Sequence, residues 1–257
     1  MNNTFIPCRK CHDKNEQFPK GYIVEMVNGI KSARECSCHI RWTEEQKLKL
    51  RYECAGGKTQ FYNYNFDRDY VKNPVRDDTY PFILKYIEHF PRSERVRASI
   101  TYFHGTNGTQ KTTVAYYILR EIIKLGFKAR YLLMNDLIKY LMKAERDEEM
   151  QHMIESLSDY DLLIIDEAFM KNKVTIYQSK FQMPFLDSFI RNRINKSKGI
   201  IFISNVAPEE ISSEGFSKDI QDIIVRQVRI DKSSAYFTMP YVAGQKVIDE
   251  EGMFNAK

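Results

Sequence analysis

The sequence predicts an α/β fold, a largely parallel sheet flanked by helices and preceded by a small cysteine-rich module. Three observations predict it. From Ser99 onward, short β-branched or apolar runs alternate with segments of helical periodicity. The first of these runs ends in a Gly-rich turn followed at once by a helix start, in the stretch from Ser99 to Thr113. Four of the five cysteines lie in the first 38 residues, outside the alternating region. A chain of 257 residues with 43% hydrophobic side chains can bury one sizeable core and still carry a second small unit.

The cysteines come as Cys8-x2-Cys11 and, after 24 intervening residues, Cys36-x-Cys38. Two short-spaced pairs brought together by a hairpin supply the four ligands of a structural Zn²⁺ site. The hairpin is legible between them, in Gly21 to Ile30, a β-rich run with an Asn-Gly turn. A zinc ribbon is expected, with His39 or His12 as an alternative ligand to one thiol, because the second pair is C-x-C. Disulfides are disfavoured in a chain expected to be cytoplasmic. Cys54 reads as a plain thiol.

Thr43-Glu44-Glu45-Gln46 has the form of a capping box, which predicts a helix from Glu44 to about Cys54, stopped by Ala55-Gly56-Gly57. The expected organisation is therefore a module over 1–57, a linker over 58–98 that lies on the next domain, and a core domain over 99–257. Within the linker a short helix is expected from about Tyr80 to Phe90, and Arg92, Arg95 and Arg97 form a solvated charged turn.

Ser99 to His104 reads as the first core strand. The pattern G-x-x-x-x-G-K-[ST] then runs through Gly105, Thr106, Asn107, Gly108, Thr109, Gln110, Lys111 and Thr112, with Thr113 following and with Gln110 in place of the second Gly. In this pattern backbone N–H groups at a helix N-terminus face phosphates, Lys111 reaches the β and γ phosphates, and the Thr112 hydroxyl ligates Mg²⁺. Gln110 puts a Cβ where backbone and phosphate approach closely, which is expected to weaken binding or shift the loop.

The next helix is expected over Thr112 to Leu125, closed by Gly126, and the next strand over Lys128 to Met134. Asn135 is expected to cap a helix with Leu137, Ile138, Leu141 and Met142 inward, and Met150, Met153, Ile154 and Leu157 to face the core from another. Asp161 to Glu167, D-L-L-I-I-D-E, predicts a doubly buried strand ending in carboxylates, a Walker B element. Asp166 would hold Mg²⁺ through water and Glu167 would orient and deprotonate the attacking water. A loop from Phe169 to Lys180 is expected to expose Phe169, Lys171, Lys173 and Tyr177. A helix from Phe181 or Pro184 ends near Arg191, Arg193 and Asn195. Gly199 to Val206 is a further buried strand, and Asn205 at its end is placed to meet a γ-phosphate or the attacking water. Phe216 to Gln227 is an amphipathic helix with Ile220, Ile223 and Ile224 inward and Arg226 near its end. Val228 to Ile230 is expected to start a closing strand.

A P-loop, an Asp-Glu Walker B strand, an Asn-ended strand and a late Arg-bearing helix, in this order, resemble the AAA+ ATPases. D-E-A, the Arg-ended helix before a strand ending in S-N, and the short remainder resemble in particular the DnaC and DnaI helicase loaders, with the IstB transposition ATPases as relatives. The resemblance implies a P-loop AAA+ core with a reduced lid, ATP and Mg²⁺ as cofactors, Asn205 as sensor, and Arg226, or less favourably Arg193, as a residue acting on a neighbour's ATP. It also implies that the cysteine-rich module contacts a helicase.

The net charge of +5 includes an excess of four basic residues in residues 1–60, eleven Lys and Arg against seven Asp and Glu, which suits an acidic partner. No apolar run reaches the roughly 18 residues of a membrane span, and the first residues lack the form of a secretory signal. Expected partners are a hexameric replicative helicase, single-stranded DNA and further copies of the chain joined through their ATP sites, with no membrane. Lys171, Lys173 and Tyr177 are candidate DNA contacts. The expected activity is ATP hydrolysis in helicase loading. The alternatives are an IstB-type transposition helper and an AAA+ protein of weakened turnover that captures a replication factor.

Overall fold

The computed structural model describes residues 4–11, 20–70, 78–171, 183–230 and 235–239. Lys173, Tyr177, Phe181 and His12 lie outside the described residues. The chain divides into two compact units, Met1–Arg51 and Tyr52–Lys257, so the division falls between Arg51 and Tyr52, whereas the sequence places the module's end after Gly57.

In the first unit, β1 (Tyr22–Val27) and β2 (Ile30–Glu35) form an antiparallel hairpin in which Val27 faces Ile30. Asn28 (φ 51°) and Gly29 (φ 77°) make the turn. Two left-handed residues give the turn twist that matches the strands, which is why Asn-Gly signals it. The helix α1 runs over Ser37–Cys54, and so begins well before the Glu44 that the capping box predicts. The reason is tertiary. The Cys36 carbonyl accepts from the His39 and Ile40 amides, so the first turn is nucleated beside the cysteines and Thr43 lies inside the helix.

In the second unit, a 3₁₀ turn at Thr59–Phe61 and the helices α2 (Phe66–Asp69), α3 (Thr79–His89) and α4 (Glu94–Arg97) precede the sheet. The aromatic residues of this stretch have a packing role. Phe61 stacks on Tyr116 and Phe66 on Tyr117, with centroids 5.0 and 4.9 Å apart. Arg120 donates to the carbonyls of Tyr62 and Tyr64. Arg97, expected in a solvated turn, donates to the Phe90 and Pro91 carbonyls.

The core then alternates as β3 (Ile100–His104), α5 (Lys111–Lys124), β4 (Ala129–Leu133), α6 (Met134–Lys143), α7 (Glu148–Asp159), β5 (Leu162–Asp166), α8 (Met183–Asn195), β6 (Gly199–Ser204), a 3₁₀ turn at Pro208–Glu210, α9 (Lys218–Ile230) and β7 (Ala235–Thr238). The five strands are parallel in the order β4-β5-β6-β3-β7. All of β5 and β6 is buried, as continuous apolar runs in a sheet covered on both faces must be. Ile100, Tyr102, Leu163, Ile165, Ile200 and Phe202 form one core with inward residues of α6, α8 and α9. The edge strand β4 is not left open, since the Tyr131 amide donates to Ala55 O at 2.8 Å and Arg130 donates to Cys54 O.

Three sequence expectations are corrected. Phe169 is fully buried, ringed by Tyr102, Phe202 and Phe216, because the turn after β5 folds back under the sheet end and takes the ring with it. Val228 to Ile230 belongs to α9, and the closing strand is β7. The apolar spacing of Ile220 and Ile224 simply continues along the helix instead of changing to strand period. Asn135 does not cap α6; Leu133 is the cap residue, and the fully buried Met134 begins the helix directly off β4.

Candidate functional site

The parallel order brings the ends of β3, β5 and β6 together, because β6 lies between the other two. Ligands in open α/β sheets bind at these carboxyl ends. Gly105 leaves β3 at φ 149°, and a Cβ there would meet the Met239 carbonyl, so the loop entry admits no larger residue. The Lys111 ammonium is drawn into the loop, donating to the carbonyls of Gly105 and Thr106 at 2.8 Å each and to Thr109 Oγ1 at 3.1 Å. Burial pushes its pKa down to about 8, with Asp166 opposing the shift.

Gln110 occupies the helix N-cap in the left-handed region, φ 65° and ψ 6°. The sequence locates the problem in side-chain crowding; the structure adds a backbone cost of about 1–2 kcal/mol for a residue with a Cβ in this conformation. Its Oε1 accepts from Tyr64 Oη at a long 3.5 Å.

Across the site, Asp166 Oδ2 accepts from Thr112 Oγ1 at 2.8 Å and from Tyr131 Oη at 2.6 Å, while Oδ1 accepts from the Glu167 amide at 2.7 Å. Thr112 and Asp166 are thus in direct contact, the donor set a Mg²⁺ with phosphate and water ligands takes. Glu167 follows at φ 51° and Phe169 at φ 57°. Such conformations persist where the surroundings over-determine them. Here the intervening Ala168 is held at both ends, its N–H donating to Ile203 O at 2.8 Å and its carbonyl accepting from Ser204 Oγ at 2.5 Å. Asn205 Nδ2 donates to Asn107 Oδ1 of the P-loop at 2.8 Å. Gly108 and Thr113 complete the loop and first turn, with Thr113 half-buried in α5.

Arg226 is exposed on the second half of α9. Arg193 is a correction: it is fully buried, donating to Leu157 O, Tyr160 O and Gly199 O at 2.6, 3.0 and 2.7 Å. Burial lowers its pKa to about 10, against Asp161 and Asp159. A guanidinium committed to three internal carbonyls has no reach into a neighbouring subunit. Tyr131 is the residue the sequence does not flag. Its only signal is register: Leu133 pairs with Asp166, so Tyr131 lies diagonally across on the same face, within reach of a long aromatic side chain.

In the first unit the sulfurs of Cys8, Cys11, Cys36 and Cys38 lie within 4.8 Å of one another. Adjacent pairs are 3.7 Å (Cys8–Cys11 and Cys8–Cys36), 3.2 Å (Cys11–Cys38) and 3.4 Å (Cys36–Cys38). A tetrahedron with metal–sulfur bonds of about 2.3 Å has edges of roughly 3.8 Å, so the donor set fits a divalent metal. A hydrogen bond from the Lys10 backbone pulls the Cys8 thiol down to about 6, and burial pushes Cys11 up to about 12. His39 is not one of this sulfur group; its Nδ1 is 2.6 Å from Glu35 Oε1. Cys54 is exposed and free.

The fold and the site define an α/β core in which a Gly-rich turn of P-loop form meets the adjacent strand ends that carry Asp166 and Ser204. Residues 95–213, less than half of the chain, match the family of IstB-like ATP binding proteins. Among solved structures, a replication initiator DnaA bound to AMPPCP and single-stranded DNA aligns over 71% of this chain with TM-score 0.54 and 15% identity. This chain covers 51% of that one, about half its length. DnaI aligns with TM-score 0.53 and 12% identity over 76% of this chain and 98% of its own. The DnaC helicase loader gives 0.52 and 18% over 72% and 100%. At these identities the likeness is one of fold. No curated protein matches the chain. Among the described residues no helix is long and apolar enough to cross a membrane.

Proposed function

We propose that the protein is an ATP-dependent loader that places a hexameric replicative helicase on single-stranded DNA. The observation that carries this reading is the presence, in one chain, of a P-loop-like turn with Thr112 on Asp166 and Asn205 on Asn107, and of a separate compact unit with four clustered cysteines. The core supplies the switch and the module the docking surface.

The site's residues divide the work. Lys111, now on loop carbonyls, exchanges them for β and γ phosphate oxygens, trading neutral acceptors for charged ones. Thr112 and Asp166 would hold Mg²⁺, which when bound neutralises charge developing on the phosphates. Glu167 accepts a proton from the attacking water. Asn205 exchanges Asn107 for the γ-phosphate, so that its position reports the nucleotide state. Arg226, exposed, contacts the nucleotide of an adjacent copy. Zn²⁺ on Cys8, Cys11, Cys36 and Cys38 holds the module together. Lys171, exposed, is a candidate contact to single-stranded DNA.

Lys111→Ala tests the switch. Nucleotide-dependent self-association measured by light scattering is lost in this variant; assembly equal to wild type removes the switch.

The family match favours a second reading, an IstB-type helper that coats duplex DNA for a transposase. Preference for duplex over single strands, with no helicase contact, supports it. The left-handed Gln110 favours a third, a weakly hydrolysing protein that captures a replication factor.

A further inference from the structure

We infer that Tyr131 is a positioning residue for Asp166, setting which carboxylate oxygen is offered to the metal side of the nucleotide site. The inference rests on the reading of the P-loop as a Mg²⁺–nucleotide site. Asp166 is buried and its acceptor capacity is nearly filled. Oδ2 takes both hydroxyls, Thr112 and Tyr131, and Oδ1 takes the Glu167 amide. A carboxylate oxygen offers about two lone-pair sites. Oδ2 is therefore used up and the remaining site is on Oδ1. Without the Tyr131 hydroxyl, Oδ2 keeps a single partner on a rotatable side chain and the carboxylate is free to turn.

Tyr131 is itself held firmly. Its ring lies 4.5 Å from that of Tyr116, which stacks in turn on Phe61 at 5.0 Å. Its backbone N–H is bound to Ala55 O. The hydroxyl is thus delivered from a packed ring on a neighbouring strand, whereas Thr112 lies in the first turn of the helix that follows the P-loop. Outer partners of metal-binding carboxylates hold them in the orientation that the ion requires, and their loss typically lowers metal affinity by about 10–100-fold.

The test is Tyr131→Phe, which removes one oxygen and keeps the ring stack. Binding of a fluorescent ATP analogue is measured in EDTA and then across a Mg²⁺ titration. The expected result is a half-saturating Mg²⁺ raised by about tenfold, with EDTA affinity near that of wild type and a thermal midpoint lowered only by the loss of one buried hydrogen bond. An unchanged Mg²⁺ midpoint overturns the inference. So does an affinity lost equally with and without Mg²⁺, which marks a merely structural tyrosine. If wild-type protein itself shows no Mg²⁺-dependent nucleotide binding, the nucleotide-site reading falls and the inference falls with it.

Discussion

Ser204 Oγ donates to the Ala168 carbonyl at 2.5 Å and accepts the Val206 amide at 3.0 Å, so one buried hydroxyl ties the turn carrying Glu167 to the turn carrying Asn205. Both of its hydrogen-bonding roles are used inside the protein. The turn that carries Glu167 and the turn that carries Asn205 are therefore fixed relative to each other by a single buried hydroxyl.

Ser204→Ala leaves a buried carbonyl and a partly buried amide without this partner, a cost of about 1–3 kcal/mol. The expected outcome is a lowered thermal midpoint and a kcat for ATP hydrolysis that falls more than nucleotide affinity does. Ser204→Thr, which keeps the hydroxyl, restores most of kcat.

Nucleotide affinity should depend on pH through Lys111. Its ammonium has a pKa of about 8 in the nucleotide-free protein, and a bound phosphate raises it. Affinity is then full below about pH 8 and declines above it, by up to roughly tenfold per pH unit until the bound-state pKa is reached. Isothermal titration between about pH 7 and 9.5 checks this, with Lys111→Ala giving weak binding and a flat profile over the same range.

Gln110→Gly removes the left-handed strain of a residue with a Cβ and is expected to stabilise the core by about 1 kcal/mol. Differential scanning calorimetry reads the midpoint shift, about 2–4 °C upward. ATP turnover measured alongside is expected to rise.

Arg193→Met tests the reassignment of that residue. Losing the three hydrogen bonds that join α8 to the C-terminal end of α7, to Tyr160 and to the start of β6 costs about 1–3 kcal/mol for each carbonyl left unsatisfied. Urea unfolding registers the loss, and mixing experiments with Glu167→Gln subunits show no trans effect of the kind expected from Arg226→Ala.

Cys36→Ser removes one of the clustered thiols. Metal analysis of dialysed protein is expected to fall from one zinc per chain to near none, while nucleotide binding by the second unit persists.

Much of this arrangement is legible in the sequence because it is local. A β-branched run into Gly105 and Lys111-Thr112, the doubly buried Leu162 to Asp166, and Asn28-Gly29 each encode their geometry within a few residues. The positions of Lys111, Asp166 and Asn205 at one sheet end follow once the strands are parallel. What the sequence hides is long-range. Tyr131 meets Asp166 through strand register, and the start of α1 is set by Cys36 packing. Burial of Phe169 depends on a left-handed turn that no side chain announces. Arg193 looks like a helix-end charge until the carbonyls of Leu157, Tyr160 and Gly199 are known to receive it.

The most direct test of the loader reading is capture of the tagged protein from its native cell extract with a non-hydrolysable ATP analogue or with ADP, followed by mass spectrometry. The expected result is recovery of a hexameric replicative helicase, more strongly in one nucleotide state than in the other. Recovery of a transposase, or of a replication protein held equally in both states, contradicts it.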